Sequence, residues 1–265
     1  MVTNTPHVRL TVDNLTSRYG RRTVLRGVSL DLDSGEHGKV VGLLGPNAAG
    51  KSTLIKTLAG VKKPAAGHLD LTVADTTIRG QSLRRAIGYV PQDLPSSAAL
   101  TAFETVVISA RGASSWSVSD QVLHRAEAAL VRLGIEHVAH RSVAELSGGQ
   151  RQLVAVAQAL AREPEVLLLD EPTSALDLRH QISLLTEVRS VVAERDCLAI
   201  VAIHDLNLAT RYCDELVVMT GGQVVATGEP ADIVDENLLR AVYQVDATVL
   251  THDGVPVVSP HVSGG

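Results

Sequence analysis

Hydrophobic and polar positions alternate along residues 8–12 and 23–32, with Val28, Leu30 and Leu32 on one side. That period of two is the spacing of half-buried antiparallel strands. The pattern then changes. Residues 40–44 form an apolar run stopped by Gly45-Pro46, which predicts a strand buried on both faces and ending in a loop. Residues 51–59 carry Leu54, Ile55 and Leu58 at helical spacing, so a helix follows directly. Strands are expected at 68–73 and 86–90, and helices at 101–111, 119–133 and 147–162. A second alternating set follows: strand 166–169, helix 178–194, strand 198–203 and helix 205–212. Strands at 215–219 and 223–227 and a helix at 235–243 close the pattern, and 251–265 reads as a tail, Ser/Gly-rich after 258. Buried strands alternating with helices predict an α/β fold built on a mainly parallel sheet. The N-terminal strands add an antiparallel β part, and the mostly helical stretch 93–160 interrupts a core made of 8–92 and 161–250. All of this is one domain.

Composition narrows the class without naming a chemistry. The chain has 265 residues, 45% hydrophobic and 20% charged, enough to bury a sizeable core. Its net charge of −5 comes with no basic block, which argues against a nucleic-acid partner. In the second half the longest apolar run is 197–203, far short of a membrane span. Residues 1–6 lack the basic-then-apolar order of a signal peptide, so a cytosolic setting is expected. The two cysteines, Cys197 and Cys213, read as reduced buried thiols.

Gly45-Pro46-Asn47-Ala48-Ala49-Gly50-Lys51-Ser52-Thr53 fits the phosphate-binding pattern G-x-x-x-x-G-K-[ST]. In such a loop the glycines turn backbone N–H groups inward, where they cradle phosphates together with the helix N-terminus. Lys51 would supply charge to the β- and γ-phosphates of a nucleoside triphosphate, and Ser52 a hydroxyl to Mg²⁺. The fold expected is therefore a phosphate-loop NTPase core. Residues 166–169 lead into two adjacent carboxylates, Asp170 and Glu171, which strand alternation points in different directions. Asp170 suits the Mg²⁺ shell, and Glu171 would polarise the attacking water. Ser147 with Gln150 makes a capping box at the start of a helix, and such a start is an anion site in its own right. Asp177 stands where it would cap the helix at 178.

The phosphate loop followed about a hundred residues later by Leu146-Ser147-Gly148-Gly149-Gln150 resembles the ATP-binding cassette (ABC) proteins. The resemblance covers roughly 8–250, with six motifs in the family's order. It implies an ATPase in which Gln92 is the glutamine of the Q-loop, reporting nucleotide state and reaching the metal. His204 would be the switch histidine on the γ-phosphate, Asp177 the D-loop aspartate, and Tyr19 the aromatic that stacks on adenine. It also implies that Ser147, Gly148, Gly149 and Gln150 face the nucleotide held by a second copy of the chain. One position departs from the family's commonest loop, which has glycine where this chain has Ala48.

Within the superfamily, 204–209, 213–216, 228–234 and 238–247 are similar to the ATPases of siderophore, haem and cobalamin importers. That resemblance implies integral-membrane permease partners, an indirect link to a substrate-binding protein, and a place on the cytoplasmic face of the membrane. Segment 111–119 departs from the wording of that group. An exporter or a zinc/manganese importer is the alternative. A chromosome-type ABC protein would need a long heptad insertion, and a translation factor a second cassette. The only Phe (Phe103) and only Trp (Trp116) fall in the insertion. They would serve either a permease groove at 94–105 or the insertion's own core.

Overall fold

The structure is a computed structural model and describes residues 7–94, 100–111 and 118–261. Strands β1 (Val8–Tyr19) and β2 (Arg22–Asp33) form a hairpin, followed by β3 (Lys39–Leu44) and α1 (Lys51–Leu58). Then come β4 (Ala66–Val73), β5 (Thr76–Ile78), α2 (Gly80–Ala86) and β6 (Ile87–Val90). Helices α3 (Ala102–Arg111), α4 (Asp120–Arg132) and α5 (Gly148–Leu160) form the insertion. The chain returns with β7 (Val166–Asp170), α6 (Leu178–Arg195), β8 (Leu198–Ala202), α7 (Leu206–Tyr212), β9 (Glu215–Thr220) and β10 (Gln223–Gly228). It ends in α8 (Pro230–Ile233), α9 (Glu236–Tyr243), β11 (Asp246–His252) and β12 (Val255–His261).

The central sheet runs β10-β9-β3-β8-β7-β6, parallel except for the edge strand β10. A second, antiparallel sheet runs β2-β1-β4-β5. Strands β3 and β7, apolar over 40–44 and 166–169, are buried on both faces there, as parallel strands must be when helices or another sheet cover each side. Val41, Leu43, Val166 and Leu168 pack with the antiparallel sheet and α1. Their neighbours Val40, Leu44, Leu167 and Leu169 pack with the inserted and C-terminal helices. Helix α4 is tied to the core by Arg125 and Arg195 on Glu163 at 3.0 and 2.9 Å, and by Arg132 on Glu187 at 3.0 Å and on Glu194.

Three expectations need correction. The first strand does not stop at 12 but runs to Tyr19. Register shifts after Val12 and Leu15, with Asn14 at φ 48°, change which face each residue shows and hide the alternation. Residues 80–86 form a helix, including Ala86 assigned above to a strand; it is short, and only Ala86 is buried. Residues 251–261, expected as part of a tail, continue a strand that starts at Asp246 and turn into a second one, so that 246–252 and 255–261 are both strands. They pair as the hairpin β11–β12, with Ala247, Pro256 and Val258 as its buried side chains. Pro256 and Pro260 in its second strand are edge-strand residues that weaken the signal. The hairpin is fastened to α7, where Asn207 both donates to the Val258 carbonyl (3.2 Å) and accepts from its N–H (2.7 Å). Phe103 is half-buried against the helical core. Trp116 and parts of 94–105 and 111–119 lie outside the described residues.

Candidate active site

The phosphate loop is shaped by close approaches of backbone to backbone. Gly45 has φ 142°, and a Cβ there would lie 2.1 Å from the Met219 carbonyl oxygen. Gly50 has φ 108° and precedes α1 without any side-chain cap, so the first amides of α1 are left for a ligand. Ala48 sits at φ 64°, a left-handed conformation that costs a non-glycine residue about 1 kcal/mol. The loop is braced from outside by Gly222, whose N–H donates to the Ala49 carbonyl at 3.0 Å. Its own carbonyl accepts from the Arg26 N–H at 3.0 Å. Lys51 is 5% exposed and folds back over the loop, donating to the Gly45 carbonyl at 2.6 Å and the Pro46 carbonyl at 3.3 Å. Burial lowers its pKa, opposed by the charges of Glu171 and Asp170. Arg22 and Val24 of β2 and Glu171 line the same open cleft as 47–53, about 250 Å³ in volume.

At the end of β7, Asp170 is fully buried, and neither carboxylate oxygen has a hydrogen-bond partner. Burial raises its pKa; Ser52, Lys56 and Lys51 pull it down, and Glu171 pushes it up. The Ser52 hydroxyl is close enough to oppose the rise without closing a hydrogen bond of normal geometry. An orphaned carboxylate beside that hydroxyl fits a hard divalent cation, which takes oxygen ligands. Glu171 breaks from the strand at φ 53°, so its side chain leaves the sheet in another direction. Its carboxylate accepts from the Gln92 amide at 2.6 Å and lies 2.5 Å from His204 Nε2. Gln92, Glu171 and His204, from the ends of three neighbouring parallel strands, are thus brought together.

Ser147 caps α5 as expected. Its side chain accepts from the Gln150 N–H at 3.2 Å, and the Gln150 side chain accepts from the Ser147 N–H at 3.1 Å. Asp177 caps α6, accepting from the His180 N–H at 2.9 Å, with the His180 ring 2.7 Å away. Ser147, Gly148, Gly149, Gln150 and Asp177 line one cleft with His137 and His180. It shares no residue with the cleft of the phosphate loop. The structure therefore assembles two separate groups within one chain.

The family model described as "ABC transporter" matches residues 25–174, from β2 through the phosphate loop and the capped helix to just past Glu171. The chain belongs to the ABC transporter family. An ABC transporter ATP-binding protein of Methanocaldococcus jannaschii is 37% identical, covering 95% of this chain and 97% of that protein. A hemin import ATP-binding protein of Thermobifida fusca is 38% identical, with coverage of 93% and 87%. A cobalamin import ATP-binding protein of Halobacterium salinarum is also 38% identical, covering 84% of this chain and 56% of the other. Among solved structures, an inward-facing transporter described as metal-chelate type aligns with TM-score 0.78 at 26% identity, covering 96% of this chain and 98% of the other. A dimeric cassette bound to ADP and Pi aligns with TM-score 0.72 at 27% identity, covering 83% and 98%. This protein is an ATP-binding, ATP-hydrolysing cassette. Among the described residues no helix is long and apolar enough to cross a membrane.

Tyr19 closes β1 with its ring half exposed, and the Lys62 ammonium stands 3.6 Å from the ring centroid. Sequence reasoning passed over Lys62, Gly222, Arg22 and Val24. Nothing local marks Lys62, and Gly221-Gly222 marks only the turn between two strands. Arg22 precedes the strand expected at 23–32, and Val24 sits at a register shift between β1 and β2, so the alternation did not mark them.

Proposed function

We propose that this cassette is the ATP-hydrolysing motor of an importer for a ferric siderophore or a related metal chelate. The observation that carries the reading is full-length similarity to a hemin import ATPase together with similarity to a cobalamin import ATPase. The metal-chelate-type transporter, aligned over nearly the whole of both chains, supports it. The cassette would work as a pair with a second copy, joined to membrane permease subunits on the cytoplasmic face. The separation of the Ser147 cleft from the phosphate loop favours this, because each copy then completes its site with the other's capped helix.

In this reading the amides at the start of α1 and the Lys51 ammonium hold the phosphates, after Lys51 leaves the loop carbonyls. Ser52 and Asp170 would hold Mg²⁺, with Gln92 reaching it once released from Glu171. The ion would neutralise charge on the transferred phosphoryl group. Glu171 takes the proton of the attacking water, and His204, now on Glu171, contacts the γ-phosphate. Asp177 fixes the start of α6 beside the capped helix, and Tyr19, half exposed, would stack on adenine. Residues 45–53 and 147–150 supply the two walls of the composite site.

The test is uptake in the source cell with the gene deleted, using radiolabelled ferric siderophore, hemin and cobalamin. Loss of uptake of one of these, restored by the wild-type gene and not by Glu171→Gln, is the expected result. Normal uptake of all three with loss of zinc or manganese uptake would overturn it.

A further inference from the structure

Lys62 follows the C-terminal end of α1 and stands over the Tyr19 ring. Helix α1 closes with a left-handed glycine motif. The Gly60 N–H donates to the Thr57 carbonyl (3.1 Å) and the Val61 N–H to the Lys56 carbonyl (3.0 Å), with Gly60 at φ 69°. The Lys62 N–H joins the same Lys56 carbonyl at 2.9 Å, so the backbone of Lys62 is fixed to the last turn of α1. Its side chain then reaches the other sheet. The ammonium donates to the Arg18 carbonyl at 2.7 Å and stands over the Tyr19 ring at 3.6 Å. A cation at that distance from a ring face is held by the ring's quadrupole. Tyr19 remains 51% exposed with Lys62 in place, so Lys62 does not bury it.

We propose that Lys62 is a positioning residue for the adenine end of the site: it backs the Tyr19 ring and ties it to α1, whose other end carries the phosphate loop. The inference rests on the reading of Tyr19 as the adenine platform. An eight-residue helix is about 12 Å long, and it does not stretch. With its N-terminus on the phosphates and Lys62 at its far end, α1 fixes how far the ring stands from the phosphate loop. A nucleoside triphosphate must span that distance, whereas an inorganic polyphosphate need not. Lys62 therefore contributes to recognition of the base and not of the phosphates.

Titration calorimetry of the full chain with ATP and with inorganic tripolyphosphate tests this. Lys62→Met keeps the aliphatic stem and removes the charge; ATP affinity should fall about two- to fivefold, and tripolyphosphate affinity should not change. Lys62→Arg keeps a cation over the ring and should restore ATP affinity. Tyr19→Ala should weaken ATP more than Lys62→Met and also spare tripolyphosphate. Equal loss of both ligands in Lys62→Met would mean that the residue merely holds α1 together, and would overturn the proposal. Unchanged or tighter ATP binding in Lys62→Met, with Tyr19→Ala still weakened, would overturn it while leaving Tyr19 as the platform. Unchanged ATP binding in Tyr19→Ala would remove the platform itself, and the proposal with it.

Discussion

The phosphate loop and the capped start of α5 both expose helix amides, yet they are built in different ways. The start of α5 is made by four consecutive residues, with Ser147 and Gln150 satisfying each other's backbone. The start of α1 has no side-chain cap. Its loop is held by distant groups: the Met219 carbonyl beside Gly45, and Gly222 bridging Ala49 to β2. A self-contained cap survives movement of its surroundings; a loop braced by two sheets moves only when they do. The difference suits the pairing of two copies proposed above, with one half-site rigid in the core and the other carried on an inserted helical unit.

The largest effects should separate chemistry from the half-sites. Glu171→Gln keeps the shape of the side chain but cannot take a proton, so ATP turnover should drop on the order of 10²–10⁴-fold with binding retained. Turnover close to wild type would remove Glu171 from the role. Lys51→Ala should abolish ATP binding by the isolated chain, measured by calorimetry. Ser147→Arg should leave it intact and block dimerisation and hydrolysis. A mixture of the two should recover one competent interface, seen as partial ATPase activity. Loss of nucleotide binding in Ser147→Arg would mean that the cap serves folding alone.

A smaller effect tests the bracing. A Cβ at Gly222 would lie 1.9 Å from the Val24 carbonyl oxygen, whereas one at Gly221 meets nothing within 4 Å. Both glycines have positive φ, 84° and 56°, so both substitutions carry the same kind of backbone strain, about 1 kcal/mol. Gly222→Ala adds a clash and should cost a further 1–3 kcal/mol or so in chemical denaturation. It should also weaken ATP binding, and Gly221→Ala should not. The smallest expected change is at Ala48. Removing the methyl at φ 64° relieves about 1 kcal/mol, so Ala48→Gly should tighten ATP by up to about fivefold. Weaker binding would show that the methyl packs usefully.

Local chemistry made much of this protein legible in its sequence. The glycine pattern before Lys51, the paired carboxylates after an apolar strand, and the Ser147–Gln150 box each draw their meaning from neighbours a few residues away. Element types were equally readable where one period held, as in β3, α5 and α6. It failed where tertiary packing set the geometry: the bulges in β1 broke the alternation, and β11–β12 bury little and lean on Asn207. Only the folded chain could bring Gln92, Glu171 and His204 within hydrogen-bonding range, because strand order in the sheet decides that meeting. Only the folded chain could set Lys62 behind Tyr19 and Gly222 against the phosphate loop. These are contacts across 43 and 173 residues of sequence (62 − 19 and 222 − 49), and no local pattern specifies a partner so far away.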